Sequence, residues 1–185
     1  MELPLDDPIA PRSPRRGAAG TSQAPRLTVG GLHDDRDAAD FLALNAAAFA
    51  HHPEQGTLTR EDLDARRAEP WFSPADVHLA RLDGRPAAVV WIKRAPGSAT
   101  AEVYVVATHP EAQGRGLASM LLTRALEAVR QDGARVAELF VEADSIGAVR
   151  LYETLGFRER RRHVQYAAQG AAPRATTRPV EDGEG

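Results

Sequence analysis

Ala118, Leu121, Leu122, Ala125, Leu126 and Val129 recur at three- and four-residue steps, the pattern of one buried helix face. That run begins directly behind Gly114-Arg115-Gly116, and directly ahead of the glycines lies TAEVYVVATHP (100–110), which reads as a strand. This strand, glycine loop and helix constrain the fold more than any other feature of the chain. A helix N-terminus leaves several backbone N–H groups without an intrahelical acceptor. Glycines around it keep side chains out of the way, so a ligand approaches bare backbone. The free donors and the positive end of the helix dipole make an anion site, and phosphate is the usual anion.

The rest of the chain alternates. RLTVGGL (26–32) reads as a short strand, and 34–50 as a helix with Phe41, Leu42, Leu44, Asn45, Ala48 and Phe49 on one broad face. HHPEQG (51–56) breaks it, and Thr59 with Asp62 three residues on starts a second helix that Pro70 ends. VHLARL (77–82) and RPAAVVWIKRA (85–95) are strands joined by the hairpin signal Asp83-Gly84. After the long helix come the strand RVAELFVEA (135–143), a helix from Ser145 to Thr154 closed by Gly156, and a last strand at 157–167. A meander followed by βα alternation predicts a single α/β domain over residues 26–168, a mixed sheet with helices on both faces. Residues 1–25 and 169–185 are rich in Pro, Ala, Gly and Arg, and are expected to be a disordered N-terminal tail and a disordered acidic C-terminal tail.

Composition removes several classes of function. With 185 residues there is room for one core, and with no cysteine there is no disulfide, thiolate metal site or cysteine nucleophile. A net charge of −3 offers no general attraction to nucleic acid or anionic membrane. No secretory pattern or bilayer-length apolar run is present, so a cytoplasmic protein is expected. His51 and His52 are adjacent rather than four apart and no HExxH occurs, so no metal is expected. Arg158, Arg160, Arg161 and Arg162 fall on both faces of a strand and read as a solvated edge. Trp71-Phe72 reads as the closure of a core or as an aromatic wall over a binding site.

Three glycine-loop chemistries compete for the anion. A nucleotide-hydrolase loop needs Gly-Lys-Ser/Thr, and the only lysine is Lys93, in a strand. A dinucleotide fingerprint needs a third glycine where Ser119 stands. The pattern Q/R-x-x-G-x-G/A is met by Gln113, Gly116 and Ala118, with Gly114 as one more open position. EADSIGAVRLYETLGF (142–157) adds a helix with Ala-x-x-Leu-Tyr spacing that ends at Gly-Phe. By these two motifs and the element order around them, the chain resembles the GCN5-related N-acetyltransferase (GNAT) family.

The resemblance implies a sheet, mostly antiparallel, splayed between two central strands, with acetyl-CoA as acetyl donor in the wedge. The pantetheine arm would pair with backbone near Val106, Ala107 and Thr108. The pyrophosphate would rest on Gln113, Gly114, Arg115, Gly116, Leu117, Ala118 and Ser119, with Ser145 as a second coenzyme contact. Glu102 is implied as general base or amine-binding acid, and period-two alternation puts it on one face with Tyr104 and Val106. Tyr152 is implied as the acid for the leaving thiolate. Without cysteine, direct transfer is the scheme that remains.

AAFAHHPEQG (47–56), EPWF (69–72), WIK (91–93) and AEVYVVATHPEAQGRGLA (101–118) are similar to the C-terminal domain of the mycothiol synthases. That likeness implies acetylation of the cysteinyl amine of cysteinyl-glucosaminyl-inositol, with Glu54, Lys93, Glu102 and Phe140 at the substrate. Taken alone, Glu54 fits a turn cap and Lys93 a solvent-facing strand position equally well. Three departures stand out: one GNAT domain where that family carries two, Phe140 in place of a substrate-contacting Tyr, and Ser145 in place of Asn. A different small-molecule amine as acceptor, or a non-catalytic acyl-CoA sensor, stays open, as do monomer and homodimer.

Overall fold

The computed structural model describes residues 1–14, 25–50, 57–142 and 145–160. Its six strands are β1 (Glu2–Pro4), β2 (Leu27–Gly30), β3 (Val77–Leu82), β4 (Arg85–Lys93), β5 (Thr100–Thr108) and β6 (Val136–Glu138). They form one sheet in the order β1-β6-β5-β4-β3-β2, antiparallel except for the β5–β6 pair. The α-helices are α1 (Asp35–Ala48), α2 (Arg60–Arg67), α3 (Leu117–Gln131) and α4 (Ile146–Thr154).

Local chemistry explains most boundaries. Capping boxes start α1 at Asp34–Asp37 and α2 at Thr59–Asp62, each joining a side chain to a free N–H in both directions. The β3–β4 hairpin turns on Asp83 (φ 49°) and Gly84 (φ 79°), the two left-handed residues a tight two-residue turn requires. β4 is buried from Ala87 through Ile92 because helices cover both of its faces. Val77, Leu79, Val89 and Trp91 meet Phe41 and Leu44 of α1 and Leu63 of α2. Ala80, Val90 and Ile92 meet Leu121, Leu122 and Leu126 of α3, together with Tyr152 of α4.

Three expectations change. The start of the chain is not a disordered tail. Glu2–Pro4 pairs with Val136–Glu138, the Leu5 N–H donates to the Arg135 carbonyl (2.8 Å), and Leu5 is 1% exposed. Farther on, the Ile9 N–H donates to the Glu127 carboxylate (3.1 Å) and Arg12 to the Thr154 carbonyl (2.8 Å). A segment this polar builds no core by itself, but the open edge of β6 supplies its backbone partners and a place for its leucines. The strand expected at 135–143 is three residues long: pairing with β5 ends at Glu138, and the buried Leu139 only exchanges backbone bonds with Met1, giving its N–H to the Met1 carbonyl (2.9 Å) and accepting from the Met1 amine (2.7 Å). Of the strand expected at 157–167, Arg158 forms a single antiparallel bridge to Glu2, and residues 161–167 lie outside the described residues, as does the C-terminal tail 169–185.

Candidate active site

Two irregularities of β5 make the site. On one side β5 pairs with β6 only at Thr100–Glu102 against Val136–Glu138, so beyond Glu102 that edge of β5 has no strand partner among the described residues and the sheet opens into a wedge. On the other side the register with β4 slips: Ile92 opposes Val103 and Trp91 opposes Val105, which leaves Tyr104 as an extra, bulged residue. The bulge reverses the alternation. Tyr104, Val105 and Ala107 pack toward α1, whereas Val106 packs toward α3. Glu102 therefore shares its face with Tyr104 but not with Val106, a correction to the strict alternation expected from the sequence. Thr108 is half-buried at the end of the strand.

Lys93 stands directly across from Glu102 on β4, with Nζ 3.8 Å from Oε2 and the two side chains 39% and 25% exposed. The ammonium lies over two rings, 5.2 Å from the centroid of Trp71 and 5.5 Å from that of Tyr104. Arg66 Nε donates to the Tyr104 hydroxyl (2.9 Å), which ties α2 to this face of β5. Beneath, Trp91 is edge-on to Tyr104 (5.3 Å), Phe41 (5.6 Å) and Phe72 (5.8 Å), and Trp71 leans on both Trp91 (5.8 Å) and Tyr104 (5.6 Å). Trp71 thus closes a core with one face and walls the cation site with the other. The box of Trp71, Tyr104 and Glu102 is a place for an ammonium group, and Lys93 occupies it. Arg66 had no signal in the sequence, since nothing in a short polar helix points to a tyrosine on a distant strand. Glu54, His51 and His52 lie outside the described residues. Phe140, two residues past β6, is 73% exposed and belongs to neither hydrophobic cluster.

At the far end of β5 a single 3-10 turn (Pro110–Ala112) leads into the glycine loop. Gly114 (φ 74°) and Gly116 (φ 75°, the N-cap of α3) are both left-handed, and a Cβ at Gly114 would meet nothing within 4 Å. Among the described residues, no N–H from Gly114 to Ser119 has an intramolecular acceptor, and the first helical bond runs from Met120 to the Gly116 carbonyl (3.0 Å). Leu117 is buried and anchors the helix. Gln113 and Arg115 are exposed, and Arg115 Nη2 donates to the Glu111 carbonyl (3.2 Å). Ala118 is half-buried, and among the described residues the buried Ser119 Oγ has no hydrogen-bond partner. This cradle of bare donors fits a pyrophosphate. Ser145 is the N-cap residue of α4 and makes no side-chain capping bond.

Tyr152 is buried against Phe157 (5.8 Å between centroids), and burial pushes its phenol up to about 12. It keeps its proton through the physiological range and can donate a hydrogen bond. Two cavities lie elsewhere. One, of about 150 Å³, is lined by His33, His78 and Arg124, and the other, of about 290 Å³, by Asp34, Arg36 and Arg81.

With this geometry in hand, known proteins are informative. The model of the Acetyltransferase (GNAT) family matches residues 41–157. The mycothiol acetyltransferase of Brachybacterium faecium is 46% identical over 160 residues, which are 82% of this chain and 48% of that protein. The mycothiol acetyltransferase of Streptomyces avermitilis is 44% identical over 163 residues, 85% of this chain and 53% of that protein. The chain thus spans about half the length of these curated relatives. A GCN5-related N-acetyltransferase from Sphaerobacter thermophilus superposes with TM-score 0.66 at 22% identity, covering 84% of this chain and 45% of that one. A GNAT family acetyltransferase from Brucella melitensis, solved in complex with acetyl-CoA, superposes with TM-score 0.58 at 22% identity, covering 72% and 84%. These two structures share the fold.

Proposed function

The chain belongs to the GNAT acetyltransferase family, and from that premise we propose that it transfers acetyl from acetyl-CoA directly to a primary amine held beside Glu102. The observation that carries this reading is the carboxylate of Glu102, set where β5 and β6 part and already facing an ammonium group between two aromatic rings. An acceptor arrives protonated and takes the place of the Lys93 ammonium in this box, which the half-exposed, flexible Lys93 side chain vacates toward solvent. Glu102 then takes its proton, directly or through one water, and leaves a neutral nucleophile. The unpaired edge of β5 from Val103 to Thr108 suits the amide-bearing pantetheine arm, and the N–H groups from Gly114 to Ser119 suit the pyrophosphate.

Tyr152 acts as a donor to the leaving sulfur and keeps its proton. A phenol near 12 against an ordinary thiol near 8.5 makes full transfer uphill by roughly 5 kcal/mol. A hydrogen bond to the developing thiolate stabilises it without that cost.

The acceptor we propose is the cysteinyl amine of cysteinyl-glucosaminyl-inositol, by analogy with the named activity of the relatives. Phe140 favours a second reading, acetylation of a different small amine. Without a hydroxyl it gives up one substrate hydrogen bond, worth about 0.5–1.5 kcal/mol. The test is incubation of the chain with acetyl-CoA and cysteinyl-glucosaminyl-inositol, with product read by mass spectrometry. Efficient turnover supports the first reading. Turnover of other amines alone supports the second. Glu102→Gln is expected to lower turnover by roughly 10²–10⁴ while acetyl-CoA affinity stays nearly unchanged. Wild-type turnover in that variant would remove Glu102 from the mechanism.

A further inference from the structure

We propose that the chain acetylates its own Lys93 when no external acceptor fills the site. The inference rests on the reading of Glu102 given above. Lys93 is the only lysine of the chain, among 23 Lys and Arg residues. Arginine is always protonated and supplies charge without a usable amine nucleophile, whereas lysine carries a primary amine that becomes nucleophilic once deprotonated. Among the described residues, Glu102 is the one carboxylate in ion-pair reach of Lys93, and the register of β4 on β5 holds the two opposite each other. A general base works at about 2.6–3.2 Å, or through one water. From 3.8 Å, the ammonium at the end of a four-carbon chain needs a shift of roughly 1 Å to reach that range. Trp71 and Tyr104 keep it over the box rather than out in solvent. A nitrogen placed for deprotonation by Glu102 is placed for any acyl group delivered along β5, whether that nitrogen belongs to a substrate or to the protein.

The step balances with acetyl-CoA as co-reactant. The Lys93 ammonium gives one proton to Glu102, which passes it to solvent. The neutral Nζ attacks the thioester carbonyl, an N–C bond forms, the nitrogen gives a second proton to Glu102, which has by then returned the first to solvent, and the C–S bond breaks. The sulfur leaves as thiolate and takes a proton from solvent. The product is a neutral amide, so the ion pair with Glu102 and both cation–π contacts are lost, and the acetylated side chain fills the acceptor box. Self-acetylation thereby turns the enzyme off when donor is plentiful and acceptor scarce.

The test incubates the full chain with acetyl-CoA alone, measures intact mass over time and maps the modified peptide. Any acetyl-lysine must be Lys93. The expected result is one acetyl group on Lys93, formed at least about tenfold more slowly in Glu102→Gln. Circular dichroism and acetyl-CoA binding confirm that this variant is folded. Lys93 left unmodified in the wild-type chain, or modified equally fast in Glu102→Gln as passive chemistry would be, overturns the inference. A panel of free amines run in parallel separates the two readings. Amine acetylated with Lys93 untouched defeats self-acetylation alone. Neither acetylated, with acetyl-CoA bound, defeats the reading of Glu102 as well.

Discussion

Leu5→Ala tests whether the first residues of the chain are part of the fold. Leu5 is 1% exposed and belongs to the cluster that contains Leu121, Leu122, Ala137 and Phe157. Its removal forfeits the transfer free energy of the lost methyl and methylene groups and leaves a cavity, which together cost 2–5 kcal/mol at fully buried leucines. β1 lies at the sheet edge and can settle partway into the gap, so about 3 kcal/mol is the working figure. For a chain of 150–250 residues that lowers Tm by roughly 6–12 °C. Urea unfolding followed by circular dichroism reads it directly, as a shift of midpoint at constant slope. A disordered tail would instead give a change within about 0.5 kcal/mol. A measured loss below about 1 kcal/mol would mean that β1 is not seated in solution as described.

Gly156→Ala strains a left-handed residue (φ 97°) and brings a Cβ to 3.2 Å from Leu3 Cδ1, so a loss of about 1–2 kcal/mol or more is expected in the same assay. Adding Leu3→Ala to that variant relieves the contact, and a double-mutant cycle that shows strict additivity would argue against it. Trp71→Leu removes one wall of the cation box and should raise the acceptor KM roughly two- to fivefold with kcat little changed; an unchanged KM would place the acceptor elsewhere. His78 is buried beside Arg124, and burial first, then the guanidinium, lowers its pKa to about 4. Because the folded value lies below the unfolded 6.5, the unfolded chain takes up the proton first, and stability falls as pH drops from 6.5 to about 4. The full effect is about 3 kcal/mol. His78→Gln should flatten this acid limb, and a limb of unchanged depth would assign it to other groups.

What the sequence made legible is whatever has a local cause. The capping box at Thr59, the Asp83-Gly84 turn and the glycines ahead of α3 act through residues within four positions of one another. β1 could not be read this way. Leu3 and Leu5 form too short an apolar pattern to stand out in MELPLDDP, and the backbone partners of this segment lie 130 or more residues away: Leu139 for Met1, Arg158 for Glu2 and Arg135 for Leu5. Arg66 on Tyr104 is likewise a product of tertiary packing. The bulge is hidden for another reason. In AEVYVVA the residues around Tyr104 are nearly all apolar, so a one-residue slip leaves no contradiction in the pattern for a reader to detect.

That slip has consequences for the chemistry. Without a bulge, the face that carries Glu102 and Tyr104 would continue to Val106, and Val105 would turn toward α3. With it, Val103 and Val106 both hold the α3 side while Tyr104, Val105 and Ala107 hold the α1 side. Between Glu102 and Thr108, Tyr104 is the one residue left without a cross-strand partner on β4, so its ring is free to lie between Trp91 and the ammonium of Lys93. Two positions earlier, pairing with β6 ends at Glu102. A strand edge opened in the middle of a sheet leaves backbone donors and acceptors that need another partner, and a bulge at the same level aims side chains across the opening. Each irregularity alone would be a packing defect. Set two residues apart on one strand, they place a carboxylate, a cation box and a row of free backbone groups around a single gap.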